Sequence, residues 1–238
     1  MGDFGLTTIS VKNLASLAMP GTCERCFWIK VRTCFKTPWS IFPGVFGDLD
    51  SYSKKVTEAW MKKHPGTLPP WLTALSLGDG IEQLPCPHWS KFSFTHSSGI
   101  TVRGTPDERL LLKDGTVVIL DYKTAKFSPG KMDTLLPLYE TQLTGYAWLT
   151  KKMENRETSS ARLMYYSPPD NTYAITDRDI EEIGFRMTFT GNSVPVGIDM
   201  DAFESLILRA QDIAAMPEPP NSCGCKDCDL LRQIQDML

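Results

Sequence analysis

The chain has 238 residues, a formal net charge of −3 and a hydrophobic content of 42%. That content supports a substantial core, arranged as one large domain or as two small ones. No apolar run reaches the roughly 18–20 residues that a membrane-spanning helix needs, and the N-terminus lacks the charged-then-apolar form of a signal peptide. We therefore expect a soluble cytoplasmic protein with no membrane partner. The slightly negative charge argues against nucleic-acid binding over the whole surface and leaves phosphate contacts to local basic groups.

The first part of the chain alternates helical patterns with loop-forming ones. We predict a helix over Val11–Ala18 and, after a passage rich in Pro and Gly, a second helix over Ser51–Lys63. The segment Pro65–Pro87 contains prolines throughout and should be rich in loops. Short strands are predicted at Phe92–Thr95 and Ile100–Val102.

A β-hairpin is predicted next. The apolar runs Arg109–Leu112 and Thr116–Leu120 have strand length and flank Lys113-Asp114-Gly115, a three-residue loop with Gly available for the left-handed position. With this loop Leu112 faces Thr116, and therefore Asp107 faces Asp121.

The remaining elements complete a mixed α/β pattern without internal repeats. A helix is predicted over Leu138–Met153, and strands over Ala161–Tyr166 and Ile183–Phe189. A last helix is predicted over Asp201–Ala215, which the proline-containing segment Met216–Pro220 ends.

The hairpin brings groups together that suit phosphodiester cleavage. Directly opposed residues of an antiparallel pair lie roughly 4.5–5.5 Å apart at Cβ, so Asp107 and Asp121 could hold one Mg²⁺ or Mn²⁺. Side chains alternate between faces, so Lys123 shares the face of Asp121. Such a metal polarises a phosphoryl oxygen and lowers the pKa of a bound water, while the lysine orients that water or stabilises the growing charge. The alternative is an ordinary polar hairpin end with an exposed Asp-Lys pair.

Five of the seven cysteines lie near the two ends of the chain: Cys23, Cys26, Cys223, Cys225 and Cys228. A C-x-x-C pair at each end is the spacing by which thiolates hold one tetrahedral metal or an iron–sulfur cluster. Disulfides are the alternative, which a reducing cytosol disfavours.

Three short motifs follow one another along the chain: Gly104-x-x-Asp107, Asp121-x-Lys123 and Gln142-x-x-x-Tyr146. Together they resemble the motifs of the PD-(D/E)XK nuclease superfamily, and most closely those of its RecB-like branch. The resemblance implies a restriction-endonuclease-like core, with a mixed central β-sheet flanked by helices, in one domain over residues 1–238. It also implies that the catalytic residues are Asp107, Asp121, Lys123, Gln142 and Tyr146.

The family's first motif matches less well. RecB-like enzymes often carry a His or Glu on an early helix as a further metal ligand, and no histidine stands at that place here. Asp50 is the expected substitute and Glu58 the next, although a helix cap and a solvated helix acid are the ordinary roles of such residues. The resemblance thus implies metal ligands from Asp107, Asp121, the Tyr122 carbonyl and Asp50.

The cysteines resemble those of a subgroup that includes CRISPR-associated nucleases and the AddB-type helicase–nuclease, in which cysteines from both ends hold a [4Fe–4S] cluster. The expected ligands are Cys23, Cys26, Cys225 and Cys228, with Cys223 as the alternative ligand. Segments 20–36 and 217–230 would then form a clasp between the chain ends, with a folding role rather than a catalytic one. A structural Zn²⁺ fits a two-plus-two thiolate site equally well.

The sequence therefore predicts a divalent-metal-dependent DNA nuclease. The resemblance favours exonucleolytic cutting of single-stranded DNA ends, in repair, recombination or CRISPR- or phage-related DNA processing, together with protein partners in that processing. The alternative is a catalytically inactive nucleic-acid-binding or interaction module that keeps the fold. A zinc-stabilised scaffold without a nucleic-acid role is a third hypothesis.

Overall fold

A computed structural model describes residues 6–35, 44–123, 127–168, 175–220 and 224–237. The helices are α1 (Val11–Ala15), α2 (Glu24–Arg32), α3 (Gly44–Lys63), α4 (Pro129–Glu154), α5 (Met200–Ala215) and α6 (Lys226–Asp236), with 3₁₀ turns at Ser16–Ala18, Pro70–Leu75 and Asp177–Asp179. The strands are β1 (Thr8–Ser10), β2 (Glu82–Leu84), β3 (Ser93–Thr95), β4 (Thr101–Arg103), β5 (Glu108–Leu111), β6 (Val117–Lys123), β7 (Thr158–Ser167), β8 (Ile180–Glu181), β9 (Gly184–Phe185) and β10 (Thr190–Val196).

The central sheet has five strands in the order β10-β7-β6-β5-β2. Strands β6 and β7 are parallel, and the other neighbours are antiparallel. Parallel neighbours need a long connection over one face of the sheet, and helix α4 supplies it here. The predicted mixed sheet flanked by helices is confirmed.

Two apolar cores lie on opposite faces of this sheet. Strand β6 is buried on both faces: Val117 and Ile119 belong to the core with α1, α4 and α5, whereas Val118, Leu120 and Tyr122 belong to the core with α3 and the Pro70–Leu75 turn. Such a strand reads as a continuous apolar run rather than an alternating one. The Asp121-x-Lys123 motif therefore lies at the end of a strand that is buried over almost its whole length.

The hairpin of β5 and β6 has the predicted register. Leu111 pairs with Val117 and Glu108 with Leu120, and the Leu112 amide bonds the Thr116 carbonyl at 2.9 Å. Gly115 has a φ of +85°, a left-handed backbone conformation that residues with a side chain rarely adopt. One residue beyond the last pair come Asp107 and Asp121, so the sequence-based placement of the two acids is confirmed.

The strands predicted at Phe92–Thr95 and Ile100–Val102 are present as β3 and β4, each shifted by about one residue. They form a separate three-stranded sheet in the order β1-β4-β3, with β1 parallel to β4. The predicted first helix is also present, as α1 continued by the Ser16–Ala18 turn.

One strand prediction is wrong. The range predicted as Ile183–Phe189 holds only β9, while the long strand β10 follows it and pairs with β7. Strand β10 was not predicted because it contains Pro195 and nearby glycines, and proline has no amide hydrogen to donate to a neighbouring strand. Strand β10 lies at the sheet edge, however, where a missing donor is tolerated.

The helices differ from the prediction in two boundaries and in one additional helix. Helix α3 begins at Gly44 rather than Ser51, and α4 begins at Pro129 rather than Leu138 and contains Pro137. Helix α5 is not the last, because α6 follows the proline-rich stop. None of the helices in the described ranges is both long and apolar enough to cross a membrane.

Gly145 provides a test of the packing between α4, α1 and α5. A Cβ there would lie 2.6 Å from both Phe203 Cε2 and Val11 Cγ1, and both residues are buried. We expect Gly145→Ala to lower the free energy of unfolding by about 1–3 kcal/mol, since overpacking outweighs the gain in helix propensity. The control is Gly47→Ala in α3, where a Cβ would meet nothing within 4 Å. It should raise stability by up to about 1 kcal/mol. Equal effects in urea unfolding would contradict this packing.

Candidate active site and cysteine cluster

The two acids of the hairpin are tied to each other through the backbone. The amide of Tyr122 donates to Asp107 Oδ2 at 2.7 Å, which holds the segment before β5 against the end of β6. The side chains of Asp107 and Asp121 are 18% and 6% exposed. Two carboxylates therefore lie close together in a largely buried place, where their charges need partners.

Lys123 supplies one of these partners. Its ammonium forms an ion pair with Asp121 Oδ2 and lies 4.3 Å from the centre of the Tyr139 ring on α4. An aromatic face attracts a cation, so Tyr139 helps to hold the ammonium beside the acid. Lys123 and Asp121 share one face of β6, as the alternation of side chains predicts.

Helix α4 contributes the other two predicted residues. Gln142 Nε2 donates to Asp121 Oδ1 at 3.0 Å and to the Tyr146 hydroxyl at 3.0 Å. A Cβ on Gly104 would lie 3.0 Å from Tyr146 Cε1, so the Gly104-x-x-Asp107 motif needs glycine for close approach to this helix. Gln142 and Tyr146 thus lie beside the acids.

The early helix α3 reaches the same place with two residues. Asp50 is linked to Asp107 through Lys54, whose ammonium is 2.6 Å from Asp50 Oδ2 and 2.7 Å from Asp107 Oδ1, and its role as a metal ligand stays a prediction. Glu58, the second choice, pairs instead with Lys62 on the helix surface. Lys54 was missed by the sequence analysis. Its one local signal is the four-residue spacing from Asp50, which is common on helices.

The electrostatics reflect burial and crowding of the acids. Burial, and then the charge of Asp121, raise the pKa of Asp107 to about 6, although Lys54 opposes the rise. Burial lowers the pKa of Lys54, but Asp107 and Asp50 outweigh it and the net shift is upward. Glu108 lies on the other face of the sheet, where Gln83 and the Tyr122 hydroxyl donate to its carboxylate. Burial raises the pKa of Glu108 to about 7.

A divalent ion fits this set of oxygens. Asp107 and Asp121 are both largely buried, and the Lys123 ammonium is the ion-pair partner of Asp121 Oδ2. Buried carboxylates need compensating cations, which an ammonium or a metal ion supplies. Carboxylate oxygens are also the ligands that Mg²⁺ and Mn²⁺ prefer. Asp107 and Asp121 would hold the ion.

The four expected cysteines meet in one cluster. Their sulfur atoms all lie within 4.8 Å of one another, with Cys26 Sγ 3.4 Å from both Cys225 Sγ and Cys228 Sγ. Cys23 and Cys228 are buried. The fifth candidate, Cys223, lies outside the described residues. A metal ion or a cluster fits this set of thiols, which the sequence spacing correctly predicted.

Burial and thiol–thiol hydrogen bonding raise the pKa values of Cys26 and Cys228 above the ordinary thiol range. Free thiols packed in this way hold their protons, so a metal has to displace them as it binds. Contacts around the cluster fasten the same two regions. Arg25 pairs with Glu218 at 2.8 Å, and the Trp28 indole donates to the Met216 carbonyl at 2.9 Å.

Comparison with known proteins agrees with this geometry. A family model described as the PD-(D/E)XK nuclease superfamily matches residues 50–232, which is more than half of the chain. The chain therefore belongs to the PD-(D/E)XK nuclease superfamily. Its function is of the nuclease type, with nucleic acid as the substrate and a divalent metal as the cofactor class.

A solved structure titled "Crystal structure of SSO0001" is similar to this chain, with a TM-score of 0.44 and 14% sequence identity. The similarity covers 89% of this chain and 78% of that one. The comparison with curated proteins finds no match.

The cysteine cluster can be tested by removing one buried ligand. We expect Cys228→Ser to lose most of the bound iron or zinc and to lower the thermal midpoint, since a serine hydroxyl is a poor ligand for either metal. Exposed Cys34 lies outside the cluster, so Cys34→Ser should keep both properties. Metal content per chain and thermal unfolding measure the effect. Equal metal content in the two variants would contradict the assignment.

Proposed function

We propose that this protein is a divalent-metal-dependent DNA nuclease that hydrolyses phosphodiester bonds at the end of β6. One observation carries the proposal. Two largely buried carboxylates, Asp107 and Asp121, meet at one place with the Lys123 ammonium beside them. Carboxylates placed together in this way attract a divalent cation, and Mg²⁺ or Mn²⁺ would use their oxygens.

Asp107 and Asp121 would be the principal metal ligands, with the Tyr122 carbonyl as a further ligand. Asp50, the remaining candidate ligand, is paired with Lys54. A bound ion would supply Lewis-acid polarisation of the phosphoryl oxygen and a more acidic water. The low exposure of both acids strengthens their attraction for a cation, because less water screens them.

Lys123 would act on the attacking water and on the charge that grows on the phosphate. Its ammonium lies beside Asp121, which would be a metal ligand, and against the ring of Tyr139. Gln142 would orient Asp121 through its amide and would leave the Tyr146 hydroxyl as a neutral donor. Burial and the Asp121 charge raise the pKa of Tyr146, which keeps this hydroxyl protonated.

The finer assignment follows the RecB-like order of the motifs. It favours single-stranded DNA ends as the substrate and exonucleolytic cutting, in repair, recombination or CRISPR- or phage-related processing with protein partners. The cysteine cluster would hold a [4Fe–4S] cluster, with Zn²⁺ as the alternative, and would clasp the two ends of a single nuclease domain. The two-ended origin of the four thiols supports the clasp.

A catalytically inactive nucleic-acid-binding module is the second candidate function. One observation favours it. Helix α3, where the family's first motif is expected, carries no histidine and instead presents Lys54 to Asp107. This candidate predicts DNA binding that does not depend on divalent metal.

Cleavage of end-labelled single-stranded DNA tests the proposal. With Mn²⁺ the protein should cut, and Lys123→Ala should lower kcat by roughly 10²–10³-fold while folding is retained, because the lysine stabilises charge in the transition state. Asp121→Asn should lose metal-dependent cutting altogether.

Lys113→Ala is the matched control, because Lys113 is an exposed lysine at the other end of the same hairpin. Its rate should equal that of the unaltered protein. An unchanged rate in Lys123→Ala would remove that residue from the mechanism. If the cluster-intact protein cuts neither single- nor double-stranded DNA, the binding module becomes the better description.

A further inference from the structure

Lys54 bridges two carboxylates that come from different parts of the chain. Asp50 lies on α3, whereas Asp107 precedes β5, and the Lys54 ammonium contacts one oxygen of each. An ordinary helix ion pair would involve only the residue four positions away. Here the same ammonium joins α3 to the hairpin that carries the acids.

The position of the ammonium is fixed by the packing of its helix. Thr57, one turn further along α3, is fully buried, and Met61 belongs to the core that also contains Val118 and Leu120 of β6. The Lys54 side chain is only 33% exposed. The helix therefore presents this charge from a rigid support, and the lysine differs in this respect from its exposed neighbour Lys55.

Asp107 is the carboxylate that would contact both the proposed metal ion and the Lys54 ammonium. It lies against Asp121 through the hairpin register and against Lys54 through its Oδ1 atom. In centres with two metal ions, the ions lie about 3.5–4 Å apart and flank the reacting phosphate. The Lys54 ammonium lies between Asp107 and Asp50, the two acids that would hold a second ion in such a centre.

An ammonium can fill a cation position without acting as a Lewis acid. It carries a positive charge and three donors but accepts no ligand, so it neutralises carboxylates and cannot coordinate a water or a phosphate oxygen. Its presence beside Asp107 also disfavours a second divalent ion through repulsion between like charges.

We propose that Lys54 is a positioning residue that takes the place of a second metal ion, so that the centre binds one divalent ion per chain. The inference rests on the proposed function, because it assumes that Asp107 and Asp121 hold the first ion. It deepens that function by assigning a single-metal centre. Without Lys54, Asp50 and Asp107 would form an acidic pair open to a second ion.

Counting bound Mn²⁺ tests the proposal independently of cleavage. Mn²⁺ is titrated into the full chain with its cysteine site already loaded, and free Mn²⁺ is measured by electron paramagnetic resonance. The unaltered protein should bind one ion at the acidic centre. Lys54→Met should bind two, with the spectral coupling of neighbouring Mn²⁺ ions. Lys54→Arg keeps the positive charge and should bind one.

Lys55→Met is the matched control. Lys55 is the chain neighbour of Lys54 and its side chain is exposed, so the variant removes the same charge away from the acids. It should bind one ion. Circular dichroism checks the folding of each variant, and Lys54→Gln, which keeps a donor but removes the charge, gives the same comparison if the Met variant does not fold.

The outcomes separate this inference from the proposed function. Two ions in the unaltered protein, or a single ion in both Lys54→Met and Lys54→Gln, would overturn the role of Lys54 and leave the nuclease centre in place. Asp121→Asn distinguishes the other failure. If the unaltered protein binds no Mn²⁺, or if Asp121→Asn binds as many ions as the unaltered protein, the metal centre itself is wrong.

Discussion

The antiparallel pairing of β5 with β6 is the constraint on which the rest of the site depends. Its register places Asp107 opposite Asp121, and the Tyr122 amide then bonds the Asp107 carboxylate. A slip of one residue would move Asp121 and Lys123 to the other face of the sheet, away from Gln142. The short loop that ends in Gly115 resists such a slip, because its length and left-handed glycine suit only one register.

The same strand serves the core and the site. Apolar side chains on both faces of β6 anchor it within the domain, and the two acids occupy the position where that strand ends. Burial makes the Asp107 carboxylate costly to ionise and raises its pKa. Two ammonium groups, Lys54 and Lys123, offset this cost by pairing with Asp107 and Asp121.

Local patterns explain which features the sequence could predict. The hairpin depends on a three-residue loop and on apolar runs that adjoin it, and the cysteine pairs depend on their spacing at the chain ends. Both can be recognised without the rest of the fold. The contact of Lys54 with Asp107 depends on how α3 docks against the sheet, and no local pattern encodes that angle. Strand β10 was hidden for a related reason, since Pro195 is acceptable only because the strand lies at an edge.

The cysteine cluster has a topological consequence. Cys23 and Cys228 are separated by 205 positions, so one ion bound to both encloses nearly the whole chain in a single covalent loop. By the chain-entropy model, a cross-link that closes a loop of that length lowers the entropy of the unfolded chain and stabilises the folded state by about 5 kcal/mol. A backbone break inside the loop, for example in the exposed segment around β8 and β9, would then leave two pieces joined through the ion. Such a nicked molecule would remain one particle for as long as the ion stays bound.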